Sequence, residues 1–268
     1  VGCVYQAYYG SRPDYSYFEG CSQGGRQGLM EAQRYPNDFD GIVAGAPAFA
    51  YQALNAAGTW NLQQIFRDNL SGNLAVDTNG DGNFDSVRLI DVLHEQVLNK
   101  CDARDGISDG VINDPLSCNF NPTLDLADLV CPANGASDQC FTSAQLQTVQ
   151  DFYNGPRDNN GVQVYPGKLF GSEKRWTGLY IPHAGNNNGP GKLMGVAGDH
   201  MNYLFYEQDP GVAVPNVRDI NYQARKDGVM PEFHWIDYDI NDFTSGKGDF
   251  MMAITDATDP DLSRFLKD

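Results

Sequence analysis

Basic residues are scarce in this chain: 18 Lys and Arg stand against 35 Asp and Glu in 268 residues, a formal net charge of −17. Nucleic acids and anionic membrane surfaces bind clustered Lys and Arg, so this deficit argues against both as partners. The sequence also lacks any run of about 18 apolar residues, so we expect no membrane-spanning helix. Nucleic acid and membrane are therefore not expected partners.

The six cysteines, in an acidic and glycine-rich chain, favour an oxidising compartment and hence a secreted, extracellular protein. Cys101 and Cys118 bracket a tight Asp/Gly loop, and Cys131 and Cys140 bracket a short polar loop. Each of these two pairs is a plausible local disulfide.

The strongest motif lies in residues 15–28. Residues 15–19 are a short aromatic run that predicts a buried strand, residues 20–24 fit the pattern G-x-S-x-G around Ser22, and residues 25–35 predict a helix. Glycines beside the serine allow the sharp backbone turn of a nucleophile elbow, which exposes the hydroxyl at the carboxyl end of a sheet. A glycine-rich loop with an idle serine is the alternative interpretation.

Ser22 is followed by the amino end of this predicted helix, where unpaired N–H groups favour negative charge. The backbone N–H of Gln23 is therefore a candidate half of an oxyanion hole. Residues 42–47 form a short apolar run that ends at Pro47, as expected of a second buried, parallel strand.

The run GCSQGGRQG at residues 20–28, followed by GIVAGAP at residues 41–47, resembles the tannase and feruloyl esterase family of secreted α/β-hydrolases. The resemblance implies that Ser22 is the nucleophile and that Cys21 is disulfide-bonded to a cysteine next to the catalytic histidine. It also supports the pairs Cys101–Cys118 and Cys131–Cys140, because similar spacings form disulfides in the family's lid.

A second strong signal is the acidic loop of residues 101–112. Asp102, Asp105 and Asp109 fall within eight residues, and such close carboxylates repel each other unless a cation such as Ca²⁺ lies between them. A hydrated acidic turn is the alternative. The resemblance implies a lid-stiffening Ca²⁺ site with these three aspartates and the carbonyls of Ile107 and Val111 as ligands.

Another acidic stretch runs from Asp77 to Asp85 and partly matches a calcium-loop pattern. Arg88 stands at the twelfth position, where an EF-hand requires a bidentate Glu. A solvated turn is therefore favoured over a weak second metal site.

The predicted fold class is α/β, a partial α/β-hydrolase core of strand, elbow, helix and strand with a large, loop-rich α+β lid inserted. Residues 1–50 are assigned to the hydrolase domain, 51–255 to the lid, and 256–268 to a segment that returns to the hydrolase domain. Helices are predicted at residues 1–10, from Thr142 or Ser143 to Tyr153, and at 256–265. Aromatic residues in the lid loops, namely Trp176 and Tyr180 beside His183, either line a pocket or fill small cores.

A serine nucleophile needs a histidine base and an acid that orients it. The four histidines are His94, His183, His200 and His234, and none of them has the strand-end setting of a hydrolase base. His94 is expected on a lid helix, facing the acidic loop. Recruitment of His200 or His234 as base is a lesser alternative. The resemblance implies that the triad Asp and His are absent, because these residues match only the middle of a family member.

We therefore expect a fragment, or one chain of a divided enzyme, with the complementary segment of the same enzyme as a partner. Cys21 then has no family-type partner within the chain. Cys3 and Cys21 could pair with each other, but Cys3 lies on a predicted helix, so two unpaired or externally paired thiols are preferred.

The expected function is serine-dependent hydrolysis of carboxylic esters of aromatic acids, such as ferulate or gallate, through an acyl-enzyme. The substrate is a small aromatic ester or a phenolic ester on a plant polymer, and the chain alone is expected to be inactive. Pocket shape determines which acid is accepted, and the motif does not reveal it. The competing hypothesis is a non-catalytic, calcium-stabilised binding module with a vestigial elbow.

Overall fold

The computed structural model describes residues 2–81, 83–132, 135, 137–181, 198–206 and 237–266. The chain divides into two compact units, one made of Val1–Leu54 with Gly246–Asp268 and the other of Asn55–Ser245. The helices and strands used below are, in chain order, α1 (Gly2–Tyr9), β1 (Tyr17–Cys21), α2 (Gln23–Arg34), β2 (Gly41–Gly45), α3 (Tyr51–Leu70), α4 (Arg88–Cys101), α5 (Pro122–Asp125), α6 (Ser143–Asn154), α7 (Ile240–Phe243) and α8 (Gly246–Thr255).

The first unit is built around two parallel strands joined by α2. β1 pairs with β2 in the register that places Tyr17 opposite Gly41 and Cys21 opposite Gly45. The prediction of a parallel strand–helix–strand unit is confirmed, although β1 begins two residues later than predicted and extends through Cys21. Burial of the strands was overestimated, because Tyr17 is 72% exposed and Val43 is 63% exposed in the structure.

The predicted amino-terminal helix is present as α1. It ends at Tyr9, and the next residue, Gly10, has φ +77° and donates its N–H to the carbonyl of Gln6 at 2.9 Å. Glycine adopts this left-handed conformation without the steric cost of a Cβ, which makes it a common residue after a helix.

The predicted helix at residues 256–265 is wrong, since the helix in this region is α8 and it ends at Thr255. Two contacts divert the chain there: Asp256 accepts a hydrogen bond from the Gln52 N–H at 3.0 Å, and the Ala257 N–H donates to the carbonyl of Phe49 at 2.9 Å. Pro260 further disfavours helical geometry at the residue before it. Burial raises the pKa of Asp256 despite the opposing hydrogen bond from Gln52.

The second unit contains α3 from Asn55 onwards, together with α4 and α6. The buried apolar residues of α3 include Leu62, Ile65 and Phe66. The helix α3 is not predicted from the sequence, because buried polar residues such as Asn55 and Thr59 interrupt its apolar spacing. Strand pairing within the described part of this unit is limited to isolated bridges.

The helix α6 and the aromatic core beside it follow the sequence closely. The side chain of Thr142 accepts a hydrogen bond from the Gln145 N–H, and the Gln145 side chain accepts one from the Thr142 N–H, which is a capping box. Phe152 packs against Trp176 and Tyr180, with ring centres 5.0 and 5.5 Å apart. Both partner rings are buried, so they fill a small core, and His183 lies outside the described residues.

Two disulfides join parts of the second unit, Cys101 to Cys118 and Cys131 to Cys140, across Cα distances of 5.5 and 5.0 Å. Within the described ranges, no helix has the length and apolar character that a membrane span needs.

Candidate active site

Ser22 lies at the sharp turn between β1 and α2. Its backbone has φ 60° and ψ −113°, a conformation that costs a non-glycine residue about 1–3 kcal/mol. Backbone hydrogen bonds hold it there: its N–H donates to the Gly45 carbonyl at 3.0 Å, and its carbonyl accepts from Arg26 at 3.0 Å and Ala48 at 3.2 Å. Both ends of the Ser22 backbone are thus tied to neighbouring elements.

Glycines allow α2 to lie directly against the strands. A Cβ on Gly25 would lie 2.4 Å from the carbonyl oxygen of Gly45, and a Cβ on Gly28 would lie 3.0 Å from the Ile42 side chain. Any larger residue at Gly25 would push α2 away from the sheet. The helix that follows Ser22 is therefore held in place by close backbone contact.

The hydroxyl of Ser22 is not used to cap α2. A serine before a helix commonly accepts a hydrogen bond from an N–H of the first turn, but Ser22 makes no such side-chain bond and is exposed. Gln23 is the first residue of α2, and the first N–H groups of a helix have no partner within it. An exposed hydroxyl and an amino-terminal N–H consequently lie side by side.

Arg26, which the sequence motif does not single out, also belongs to this site. Its Nε donates to the Oε1 of Gln23 at 2.8 Å, one helical turn earlier. The i, i+3 spacing of the two residues on a predicted helix was the signal that could have revealed this pair.

Histidine is absent from the unit that contains Ser22, since all four histidines lie between residues 94 and 234. His94 was expected to face the acidic loop, which is wrong: its Nδ1 lies 2.7 Å from the buried carboxylate of Glu173. The hydroxyl of Tyr153 donates to the same carboxylate at 2.7 Å, so His94 belongs to a polar cluster of the second unit. His200 is buried, and His183 and His234 lie outside the described residues.

Cys21, directly before Ser22, is exposed and has no disulfide partner among the described residues. The side chain of Cys3 is outside the described part of the structure, and so is the expectation that Cys3 is unpaired or externally paired.

The acidic loop begins with a short 3₁₀ helix, Asp102–Asp105, and turns at Gly106 and Gly110, both of which have positive φ. Asp102 accepts a hydrogen bond from the Gly110 N–H at 3.1 Å. Asp105 accepts one from Ile107 and Asp109 one from Val111, each at 3.0 Å. The Ile107 N–H, followed by hydrogen bonds from Asn113, lowers the pKa of Asp105.

The donor set of this loop, three carboxylates and backbone carbonyls, matches the hard oxygen ligands that Ca²⁺ prefers. The bonds to backbone N–H groups turn the aspartates towards their own loop. In the described ranges, however, no three His, Cys, Asp or Glu side chains gather closely enough to hold a metal ion. The loop therefore offers the ligand types that Ca²⁺ prefers, while its three carboxylates are not gathered around one point in this structure.

In the stretch from Asp77 to Asp85, the described residues, 77–81 and 83–85, form local turns. Asp85 accepts hydrogen bonds from the N–H and the hydroxyl of Thr78, both at 2.8 Å, and Asp77 accepts one from the Gly80 N–H at 2.7 Å. The bonds from Thr78 lower the pKa of Asp85. Both carboxylates therefore accept hydrogen bonds from residues of the same stretch.

Comparison with known proteins places these features in context. A family model described as "Tannase and feruloyl esterase" matches residues 2–268. The chain is 38% identical over 158 residues to a probable feruloyl esterase B-2 of Aspergillus terreus, covering 59% of this chain and 27% of that protein. A probable feruloyl esterase B of Emericella nidulans is 36% identical over 161 residues, covering 60% and 28% respectively. The alignments span little more than a quarter of these relatives.

Solved structures show the same fold. Feruloyl esterase B from Aspergillus oryzae superimposes with a TM-score of 0.68 at 24% identity, over 98% of this chain and 44% of that chain. An esterase from Aspergillus oryzae gives 0.64 at 26% identity, over 98% and 43%. Tannin acyl hydrolase from Aspergillus niger gives 0.59 at 19% identity, over 98% and 43%. The shared architecture is of the α/β-hydrolase type.

Proposed function

Because the chain belongs to the tannase and feruloyl esterase family, we propose that it forms the nucleophile-bearing part of an enzyme that hydrolyses carboxylic esters of phenolic acids. The conformation of Ser22 is the observation that carries this proposal. Its backbone is held in a costly geometry by three hydrogen bonds, and its hydroxyl is exposed at the amino end of α2.

In the proposed reaction the Oγ of Ser22 attacks the ester carbonyl carbon and its proton passes to a base. The Gln23 N–H stabilises the negative charge on the carbonyl oxygen, since helix amino termini favour anions. The base then protonates the departing alcohol, which leaves an acyl group on Ser22. Water, deprotonated by the same base, attacks this ester, and the base returns the proton to the Oγ of Ser22 as the aromatic acid is released.

The base is assigned to a histidine outside residues 1–268, with an aspartate that orients it. The chain covers 44% of the solved feruloyl esterase B chain from Aspergillus oryzae, which leaves more than half of such an enzyme to supply the histidine, and His94 is paired with Glu173. A complementary segment of the same enzyme would supply both groups, and by this proposal residues 1–268 alone have no esterase activity.

Calcium is proposed as a structural ion of the acidic loop, bound by Asp102, Asp105 and Asp109 with the carbonyls of Ile107 and Val111. The positive charge of a bound Ca²⁺ would relieve the repulsion between these carboxylates. The disulfide from Cys101 to Cys118 supports an extracellular location, where Ca²⁺ is plentiful and disulfides persist.

A non-catalytic binding module is the second candidate, and the lack of histidine in the unit of Ser22 favours it. The two functions are separated by assaying the full-length protein with methyl ferulate and methyl gallate. We expect hydrolysis that Ser22→Ala lowers by more than about 10³-fold, as for loss of a serine nucleophile, whereas Ser11→Ala, in an exposed loop, leaves it unchanged. Undiminished hydrolysis by Ser22→Ala would refute the enzyme proposal, and binding of either ester without turnover would favour the module.

A further inference from the structure

One face of α2 binds a row of backbone carbonyls at the end of α8 and just beyond it, here called the carbonyl row (residues 253–259). The Nη2 of Arg34 donates to the carbonyl of Ala253 at 2.9 Å, and Gln33 donates to the carbonyls of Ala257 and Asp259 at 3.0 and 2.8 Å. The last carbonyls of a helix have no partner within it, so Arg34 satisfies carbonyls at the end of α8, while Gln33 binds the chain just beyond it.

Arg26 lies on the same face but differs from the other two residues. Its Nη1 donates to the carbonyl of Thr255 at 2.6 Å, and its guanidinium carbon lies 4.6 Å from the ring centre of Tyr51. Its Nε donates to the Gln23 side chain at 2.8 Å. Arg26 is thus joined at once to the first residue of α2, to the start of α3 and to the end of α8.

The planar guanidinium suits this arrangement, because its N–H donors point in fixed, different directions. A lysine has a single ammonium group and cannot reproduce the two bonds together with the stacking on Tyr51. The Gln23 side chain is held by a group that is itself fixed at two other points.

Holding the Gln23 side chain matters because Gln23 lies in the first turn of α2, and the ends of helices fray. An oxyanion donor must lie within hydrogen-bond distance of an oxygen atom that forms only during the reaction, and small misplacements are costly. Holding the Gln23 side chain restrains the rotation of the first turn and therefore the direction of the Gln23 N–H.

We propose that Arg26 is a positioning residue for the oxyanion donor Gln23, and that it ties the nucleophile turn to the two chain segments, at Tyr51 and Thr255, that leave and re-enter this unit. The proposal rests on the function proposed above. By this proposal Arg26 affects the rate of acylation of Ser22, an effect that is not expected of a residue that only binds the carbonyl row.

The test compares Arg26→Met with Arg34→Met in the full-length protein. Arg34 is the matched control, because it binds the carbonyl row from the same helix without contacting Gln23. The readouts are the rate constant for labelling of Ser22 by a fluorophosphonate, kcat and KM for methyl ferulate, and the melting temperature.

We expect Arg26→Met to slow labelling and to lower kcat by about tenfold or more, with KM changed less than about twofold. Arg34→Met should lower the melting temperature and leave the labelling rate within about twofold of wild type. Introduced into a Gln23→Ala background, Arg26→Met should have little further effect on labelling, since residues that act through one another are not additive.

Equal labelling losses in Arg26→Met and Arg34→Met would overturn the proposal, as would full additivity with Gln23→Ala. Wild-type protein that is labelled at Ser22 at the same rate as Arg26→Met refutes the positioning role alone. Wild-type protein that is not labelled at Ser22 refutes the proposed function and the positioning role together. If Arg26→Met fails to fold, Arg26→Lys takes its place: slowed labelling supports the proposal, and a wild-type rate overturns it.

Discussion

Gly20 and Gly24 bring their backbones into direct contact across the turn at Ser22. A Cβ placed on Gly20 would lie 2.5 Å from the carbonyl carbon of Gly24, whereas a Cβ placed on Gly24 would meet no atom within 4 Å. The two glycines of the G-x-S-x-G motif therefore have different tasks. Gly20 permits the close approach of β1 and α2, and Gly24 contributes only the backbone that is approached.

Gly20→Ala is accordingly expected to destabilise the full-length protein by about 1–3 kcal/mol, the usual cost of overpacking. Gly24→Ala is the matched control and should be neutral or stabilising by up to about 1 kcal/mol, because alanine favours a helix. Urea denaturation of both variants measures the free energy of unfolding. A Gly20→Ala protein as stable as Gly24→Ala would contradict the contact.

Lys168 predicts a dependence of stability on pH. Its Nζ donates to the Tyr180 hydroxyl at 2.5 Å, and burial lowers the pKa of Lys168 to about 8. An unfolded lysine has a pKa of about 10.4, so between these values the unfolded chain binds more protons than the folded one. The contribution of Lys168 to the free energy of unfolding should therefore increase as pH rises from about 8 to about 10.4.

Urea denaturation at several pH values in this window measures the slope. Lys168→Met should lose the increase, while Lys174→Met, which removes an exposed lysine paired with Asp91, should retain it. The pKa of Tyr180, raised by burial to about 12, keeps that group neutral throughout. An unchanged slope in Lys168→Met would rule out this assignment.

Calcium should stabilise the protein through the acidic loop. A ligand at 100 times its Kd adds about 2.7 kcal/mol to the free energy of unfolding, so chelation by EGTA should lower the melting temperature. Asp105→Asn should abolish the response, whereas Asp81→Asn, in the stretch from Asp77 to Asp85, should retain it. Asp128→Asn is the control for loss of one exposed charge. Melting curves insensitive to EGTA in wild type would refute the site.

Removal of the disulfides should lower stability according to the loops that they close. Cys101 and Cys118 are 17 residues apart and Cys131 and Cys140 are 9 apart, which corresponds to about 3 and about 2.5 kcal/mol in the chain-entropy model. Paired Cys→Ser variants, compared by urea denaturation, measure each loss. Since Cys101 directly precedes Asp102, only the first pair should also weaken the stabilisation by calcium.

The sharp turn at Ser22 could be predicted from the sequence because its geometry demands particular residues. A strand, a glycine that tolerates close backbone contact and a helix must follow one another within a few positions, as they do around Ser22. The capping box at Thr142 and Gln145 was visible for the same reason, since the residue types themselves make the bonds. The first and last residues of β1 were harder to predict from the sequence, because they depend on pairing with β2.

Other features depend on contacts between distant residues and were missed. α3 buries Asn55 and Thr59 beside apolar residues, so its pattern does not reveal a helix. The segment after Thr255 is diverted by Gln52 and Phe49, about 200 residues earlier in the chain. The pairing of His94 with Glu173, 79 residues apart, is likewise invisible in the sequence.

The central claim is that Ser22 is a reactive nucleophile. Its most direct test is to treat the full-length protein with a fluorophosphonate and to locate the adduct by peptide mass spectrometry. We expect a single adduct on Ser22 that is absent from Ser22→Ala and that prevents hydrolysis of methyl ferulate. An unlabelled Ser22 in protein that hydrolyses the ester, or an adduct on another residue that blocks activity, would contradict the claim.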